Sequence, residues 1–286
     1  MTEMLNSLVS AIGDVCSDQQ NDWLREALTK LENSKAPATD LGRCSTQARR
    51  QLGRQPLGVR YSPLISSVGP VAIDHWESGD AGRIAMILLC LQREPEQAET
   101  LVTSLFRQGD ESERAAIVRG LALFPSADRL KPLALEAGRA NSLVLVSSVA
   151  LLNPYPAAYY SDREFNQMVL KALFVRLNAD LIYGLGQRVN SELSRMCEDY
   201  VDELLAADRD VPPEIWMALL PYASVKGVEF VRRYLDDPNP LHRYYSAKAM
   251  VQSLKRFPEL RAALDQRFSL ETDEHVREIL GAAAGG

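Results

Sequence analysis

The sequence predicts an all-α protein, an irregular α-solenoid or HEAT-like superhelix of antiparallel helices, and three observations lead there. Leu and Ala number 40 and 32 of 286 residues against 29 for Val plus Ile, a composition that leans towards helix-forming side chains. Apolar residues recur at three- and four-residue steps along most of the chain, and alternation of period two never lasts a strand's length. From residue 80 onward, amphipathic stretches are separated by short breaks rich in Pro and Gly, which implies antiparallel neighbours.

Leu5, Leu8, Val9, Ile12 and Val15 mark a first helix, and Trp23, Leu24, Ala27, Leu28 and Leu31 a second, entered through Asp18 as N-cap. Residues 33–79 are less regular. Pro37, Pro56, Pro63 and Pro70 leave only 40–52 periodic enough for a short helix, and Leu57-Gly58-Val59-Arg60-Tyr61 is the one place for a short strand. Two domains follow: 1–79 as N-terminal helices with an irregular arm, and 80–286 as the helical solenoid. Within the second, residues 187–207 read as one helix, with Val189, Leu193, Met196, Tyr200 and Leu204 on its apolar stripe. On its polar face Arg195 can pair with Glu192 and Asp199 at helical spacing. Asp237-Pro238-Asn239-Pro240-Leu241-His242-Arg243 and Thr272-Asp273-Glu274-His275-Val276-Arg277 resemble the opening of the second helix of a HEAT repeat, with the arginines 34 residues apart. Glu111-Ser112-Glu113-Arg114 is a looser third instance.

A net charge of −6 argues against a sequence-independent grip on nucleic acid. Cys16, Cys44, Cys90 and Cys197 form no C-x-x-C pair and read as buried core residues of a reducing cytoplasm, not as zinc ligands or disulfides. No basic residue precedes Arg25 and the longest apolar run, residues 84–91, has eight members, so neither a secretory signal nor a membrane span is expected. The expected location is cytoplasmic, with at most a peripheral seat on a membrane. His75 beside Trp76 reads as a packed pair, and His242 and His275 as surface residues in helix N-terminal turns.

Chemistry-bearing motifs are few. There is no G-x-S-x-G elbow, no H-E-x-x-H and no P-loop, so the chain lacks a complete catalytic set and no cofactor is called for. Asn153-Pro154-Tyr155-Pro156 forces a helix end before Pro154, and tyrosines crowd the corner that follows. Asn141, Asn153, Tyr155, Asn166, Lys171, Arg188 and Asn190 are the candidate ligand-binding residues. Amides and a cation in an apolar groove suit a phosphorylated or hydroxylated ligand. Asn190, Ser194 and Glu198, spaced i, i+4, i+8, resemble the Mg²⁺-binding triad of class I terpenoid synthases. No DDxxD cluster accompanies them, so an enzyme acting on an isoprenoid diphosphate or a phosphorylated cyclitol is the alternative reading.

Asn153-Pro154-Tyr155-Pro156, Phe165-Asn166-Gln167-Met168-Val169-Leu170-Lys171-Ala172-Leu173-Phe174, Arg188-Val189-Asn190 and Asp199-Tyr200 together resemble the EboA-domain proteins over about residues 76–216, with a HEAT-like part at 217–286. The resemblance implies a bacterial protein of metabolite traffic in secondary metabolism. It also implies a setting that includes a UbiA-like membrane prenyltransferase as a pathway partner and export of precursors. On that basis a non-catalytic scaffold or ligand carrier is the leading expectation, with a small metabolite and pathway proteins as partners. The inner membrane is then the surface to which it would be peripheral.

Overall fold

The computed structural model describes residues 1–58 and 61–284, and among them lie seventeen α-helices and one two-stranded sheet. The all-α class holds. The chain forms two compact units, Met1–Tyr160 and Ser161–Gly286.

In the first unit, α1 (Thr2–Val15), α2 (Asp18–Glu32) and α3 (Pro37–Leu52) pack against α4 (Ser78–Arg93), which carries the long apolar run and is buried along nearly its whole length. Because α4 shares its core with all three, the boundary between units falls after Tyr160 and not after residue 79. The α3–α4 approach is close enough to require glycine: a Cβ on Gly79 would sit 2.8 Å from Arg49 Cα and 2.9 Å from the Gly53 carbonyl. Ser17, not Asp18, caps α2, because its hydroxyl accepts from Gln20 N–H while Gln20 reaches back to Ser17 N–H. α3 begins three residues earlier than the periodicity suggests, with Pro37 in its first turn, where a missing N–H costs nothing.

Within the predicted strand, Val59 and Arg60 lie outside the described residues, while Leu57 and Gly58 donate backbone hydrogen bonds to Trp76 and Asp74. The strands come later: β1 (Leu64–Ser66) pairs antiparallel with β2 (Gly69–Val71), Leu64 opposite Val71. Three-residue strands are too short to leave a period in the sequence. The unit continues through α5 (Ala98–Gln108), α6 (Glu111–Gly120), α7 (Lys131–Arg139), α8 (Leu143–Ala150) and α9 (Pro154–Tyr159), with α6 and α7 both packed on α8.

The second unit comprises α10 (Asp162–Phe174), α11 (Leu185–Arg188), α12 (Ser191–Ala206), α13 (Ile215–Leu219), α14 (Val225–Tyr234), α15 (Pro240–Ser253), α16 (Arg261–Leu270) and α17 (Glu274–Ala284). α13 packs on α12 and α15, and α15 on α14, α16 and α17. Residues 187–207 are not one helix. Asn190 is extended (φ −139°, ψ 169°) and its Oδ1 accepts from Leu193 N–H, so it caps α12 and ends the run begun by α11. The exposed pairs of Arg195 with Glu192 (2.7 Å) and Asp199 (2.5 Å) form as the spacing suggests.

The three motif arginines share one device. Arg114 donates to the Phe106 and Gly109 carbonyls, Arg243 to Asp237 and Pro238, and Arg277 to Phe268 and Glu271. Each guanidinium thus satisfies carbonyls at the end of the preceding helix or turn, where helical partners run out. The four cysteines are free; Cys44, Cys90 and Cys197 are buried and Cys16 half-buried. Burial pushes the Cys90 thiol up to about 11 and Cys197 higher still, which leaves them inert packing residues. Among the described residues no helix is long and apolar enough to cross a membrane.

Candidate functional site

In the first unit Asn153 caps α9, its Oδ1 accepting from Tyr155 N–H, while its Nδ2 donates to the Val118 and Ser148 carbonyls at 3.2 and 3.0 Å. The fully buried Tyr155 donates its hydroxyl to the Ala127 carbonyl, and its ring lies 4.8 Å from that of Tyr159. Both side chains therefore use their polar atoms to fasten a helix corner. Asn141 is exposed at the bend between α7 and α8.

In the second unit three of the sequence candidates meet. Asn166 of α10 and Asn190 exchange two amide hydrogen bonds of 3.1 and 3.0 Å, and Asn190 Nδ2 also donates to the Arg188 carbonyl. Arg188 lays its guanidinium 4.8 Å over the Phe165 ring and pairs with Asp162 at 3.0 Å. Lys171 is half-buried on α10 and makes no ion pair among the described residues. The proposed metal donors are spent inside the fold. Ser194, fully buried, donates to the Ala218 carbonyl at 3.1 Å. Glu198 accepts from Ser224 N–H and Oγ at 2.7 and 2.6 Å. A buried Ser194 and an Asn190 engaged in capping do not fit a magnesium ion, which takes accessible oxygens in octahedral array.

Sequence reasoning missed a different place. A cleft of about 550 Å³ opens between the loop after α12 and the loop joining α14 to α15, walled by Arg176, Asp208, Asp210 and Asp237 and floored by Tyr234 and His242. His242 is not a surface residue: it is 7% exposed, with Trp216 Nε1–H donating to its Nδ1 at 3.2 Å. The Tyr234 ring lies 4.6 Å from both Trp216 and His242. Arg176 and Asp208 on the wall hold left-handed φ of 60° and 51°, unusual for non-glycine residues. No periodic pattern links Trp216, Tyr234 and His242, which belong to three helices. The sequence offered only the Asn239-Pro240 cap, which fixes the start of α15 and turns His242 inward.

Burial is the main cause that lowers His242 below its ordinary value of 6.5, against the opposing field of Asp237 and Asp210. A neutral ring is what Trp216 needs, since a protonated Nδ1 cannot accept. The unfolded chain takes up this proton first as pH falls. Stability is therefore full above about pH 6.5 and declines as pH drops from there through the folded value. Urea midpoints of the wild type are expected to fall between pH 8 and pH 5.5, and to fall less in His242→Gln. Equal slopes in the two proteins would remove His242 from the account.

A family model described as "Metabolite traffic protein EboA" matches residues 2–220. That stretch reaches well into the N-terminal 75 residues, which the sequence resemblance left outside. No curated protein and no solved structure matches the chain.

Proposed function

The chain belongs to the EboA family, and from that premise we propose that it is a non-catalytic carrier or scaffold in the traffic of a small bacterial metabolite, with the ligand held in the cleft at His242. The observation that carries this reading is the cleft itself: a ligand-sized space lined by Tyr234 and by a buried histidine whose second ring nitrogen has no partner among the described residues. Stacked HEAT-like helix pairs, joined by the arginine clamps, would serve as the frame. The prenylated-precursor pathway, a cytoplasmic location, and docking to a UbiA-like prenyltransferase at the inner membrane belong to the same proposal. Asn153, Tyr155, Asn166 and Asn190 then serve by shaping corners, and not by direct ligand contact.

A direct test is retention. Protein passed through a cell extract and a desalting column, then denatured, should release a small molecule detectable by mass spectrometry. Leu241→Trp, which fills the rim of the cleft from a half-exposed position, should abolish that release. No retained molecule, or equal retention by the variant, would sink the carrier reading.

The outer side of α10 supports a complementary role as a docking face, on the observation that Lys171 is half-buried and makes no ion pair among the described residues. Lys171→Ala is expected to change stability by less than about 0.5 kcal/mol while lowering pathway output in cells. Unchanged output from the folded variant would remove that face. The enzymatic alternative, with Asn190, Ser194 and Glu198 around Mg²⁺, is disfavoured by the internal hydrogen bonds that occupy those groups.

A further inference from the structure

We propose that the His242 cleft takes an uncharged, polyhydroxylated ligand, an inference that rests on the carrier reading and adds the ligand's chemical class. Trp216 Nε1–H occupies His242 Nδ1 at 3.2 Å, so the neutral ring carries its hydrogen on Nε2. That N–H, on a residue only 7% exposed, has no partner among the described residues and is available to an acceptor in the cleft that His242 lines. Asn239 adds a second donor, because its Oδ1 is taken by Leu241 N–H at 3.0 Å and its Nδ2 makes no hydrogen bond among the described residues.

The lining also holds acceptors. The Asp210 carboxylate makes no hydrogen bond among the described residues, and Asp237 uses only Oδ1, which accepts from Asn239 N–H at 2.8 Å. A guest that both accepts from these N–H groups and donates to these carboxylates, in place of the water that hydrates the exposed Asp210 and Asn239, complements the lining best. Neighbouring hydroxyls do both.

Charge argues against the other guests. Of the two guanidiniums at the cleft, Arg209 is paired with Glu203 at 3.2 Å and Arg176 donates to the Asp210 carbonyl. Three carboxylates, Asp208, Asp210 and Asp237, outnumber them, so a phosphate or diphosphate would meet net repulsion. A polyamine would suit the carboxylates but would present its N–H groups to those of His242 and Asn239.

The full-length protein is titrated with xylitol, glucose, pyrophosphate and spermidine, and binding is read by saturation-transfer difference NMR for the organic probes and by ³¹P line broadening for pyrophosphate. The polyols should bind more tightly than the two charged probes. Asp210→Asn with Asp237→Asn keeps the turn at Asn239 and should weaken polyol binding about tenfold, the loss of hydrogen bonds to charged acceptors. Preferred binding of pyrophosphate or spermidine, polyol binding untouched by the double variant, or no binding at all would each overturn the proposal. If extract retention sensitive to Leu241→Trp persists while no polyol binds, the ligand class falls and the carrier reading stands; loss of both removes both.

Discussion

Arg243→Ala is expected to destabilise the Ser161–Gly286 unit by about 3–5 kcal/mol, the range for removing one member of a buried ion pair. The Arg243 guanidinium meets both oxygens of Glu271, at 2.8 and 3.0 Å, and donates at 2.9 Å to each of the Asp237 and Pro238 carbonyls. Glu271 is itself a hub, accepting also from Arg267 Nε and from the Thr272 and Asp273 N–H groups. Burial alone would raise the Glu271 carboxyl, but these donors outweigh it and hold it at about 2. Without Arg243 a fully buried carboxylate keeps only part of its compensation. Since that carboxyl lies below its ordinary 4.5, its contribution is present above that pH and is lost as pH falls towards 2. The same arginine fixes the Asp237–Pro238 turn at the wall of the cleft, so ligand retention should fall with stability. Urea denaturation at pH 7 is the measurement, and a loss under about 1 kcal/mol would mean that neighbouring groups or water replace the guanidinium.

The second large effect belongs to the first unit. Asp80 lies at the start of α4 with its carboxylate between Arg83 (3.3 Å) and Arg119 (2.5 Å). Arg83 is 2% exposed and also donates to the Ser45 carbonyl and Ser112 Oγ. Asp80→Ala strands that buried guanidinium, leaving the fields of Glu113 and Asp110 as its remaining compensation, and is expected to cost about 3–5 kcal/mol. Asp80→Ala combined with Arg83→Met should recover part of the loss, because an apolar chain of similar length needs no counter-charge. A double variant no more stable than the single one would show that Arg83 matters for its packing and not for its charge.

Much of this architecture was open to reading before any coordinates. The breaks at Pro95, Gly109-Asp110, Asn153-Pro154 and Pro238-Asn239-Pro240 are where helices end or begin, because a residue without an amide hydrogen, or one that caps with its own side chain, ends a helix locally. Asn190 was harder. Its neighbours continue the apolar stripe, and only its side-chain bond to Leu193 N–H shows that the backbone leaves the helix there. Among the seven candidate binding residues, their polarity and proximity in sequence were visible, whereas the partner of each was not. Asn153 and Tyr155 found backbone carbonyls and Asn166 found Asn190.

The sequence by itself determined the helical class, several of the helix ends and the apolar character of the cysteines, since all of these rest on interactions within a few residues of one another. Only tertiary structure decided that residues 1–79 share a core with α4, that His242 is buried, and that Trp216, Tyr234 and His242 close the floor of a cleft. The physical reason is range. A cap or a proline acts through one turn of backbone, while burial and the pairing of a donor with its acceptor depend on which helices pack together. The 26-residue separation of Trp216 and His242 carries no trace of that choice.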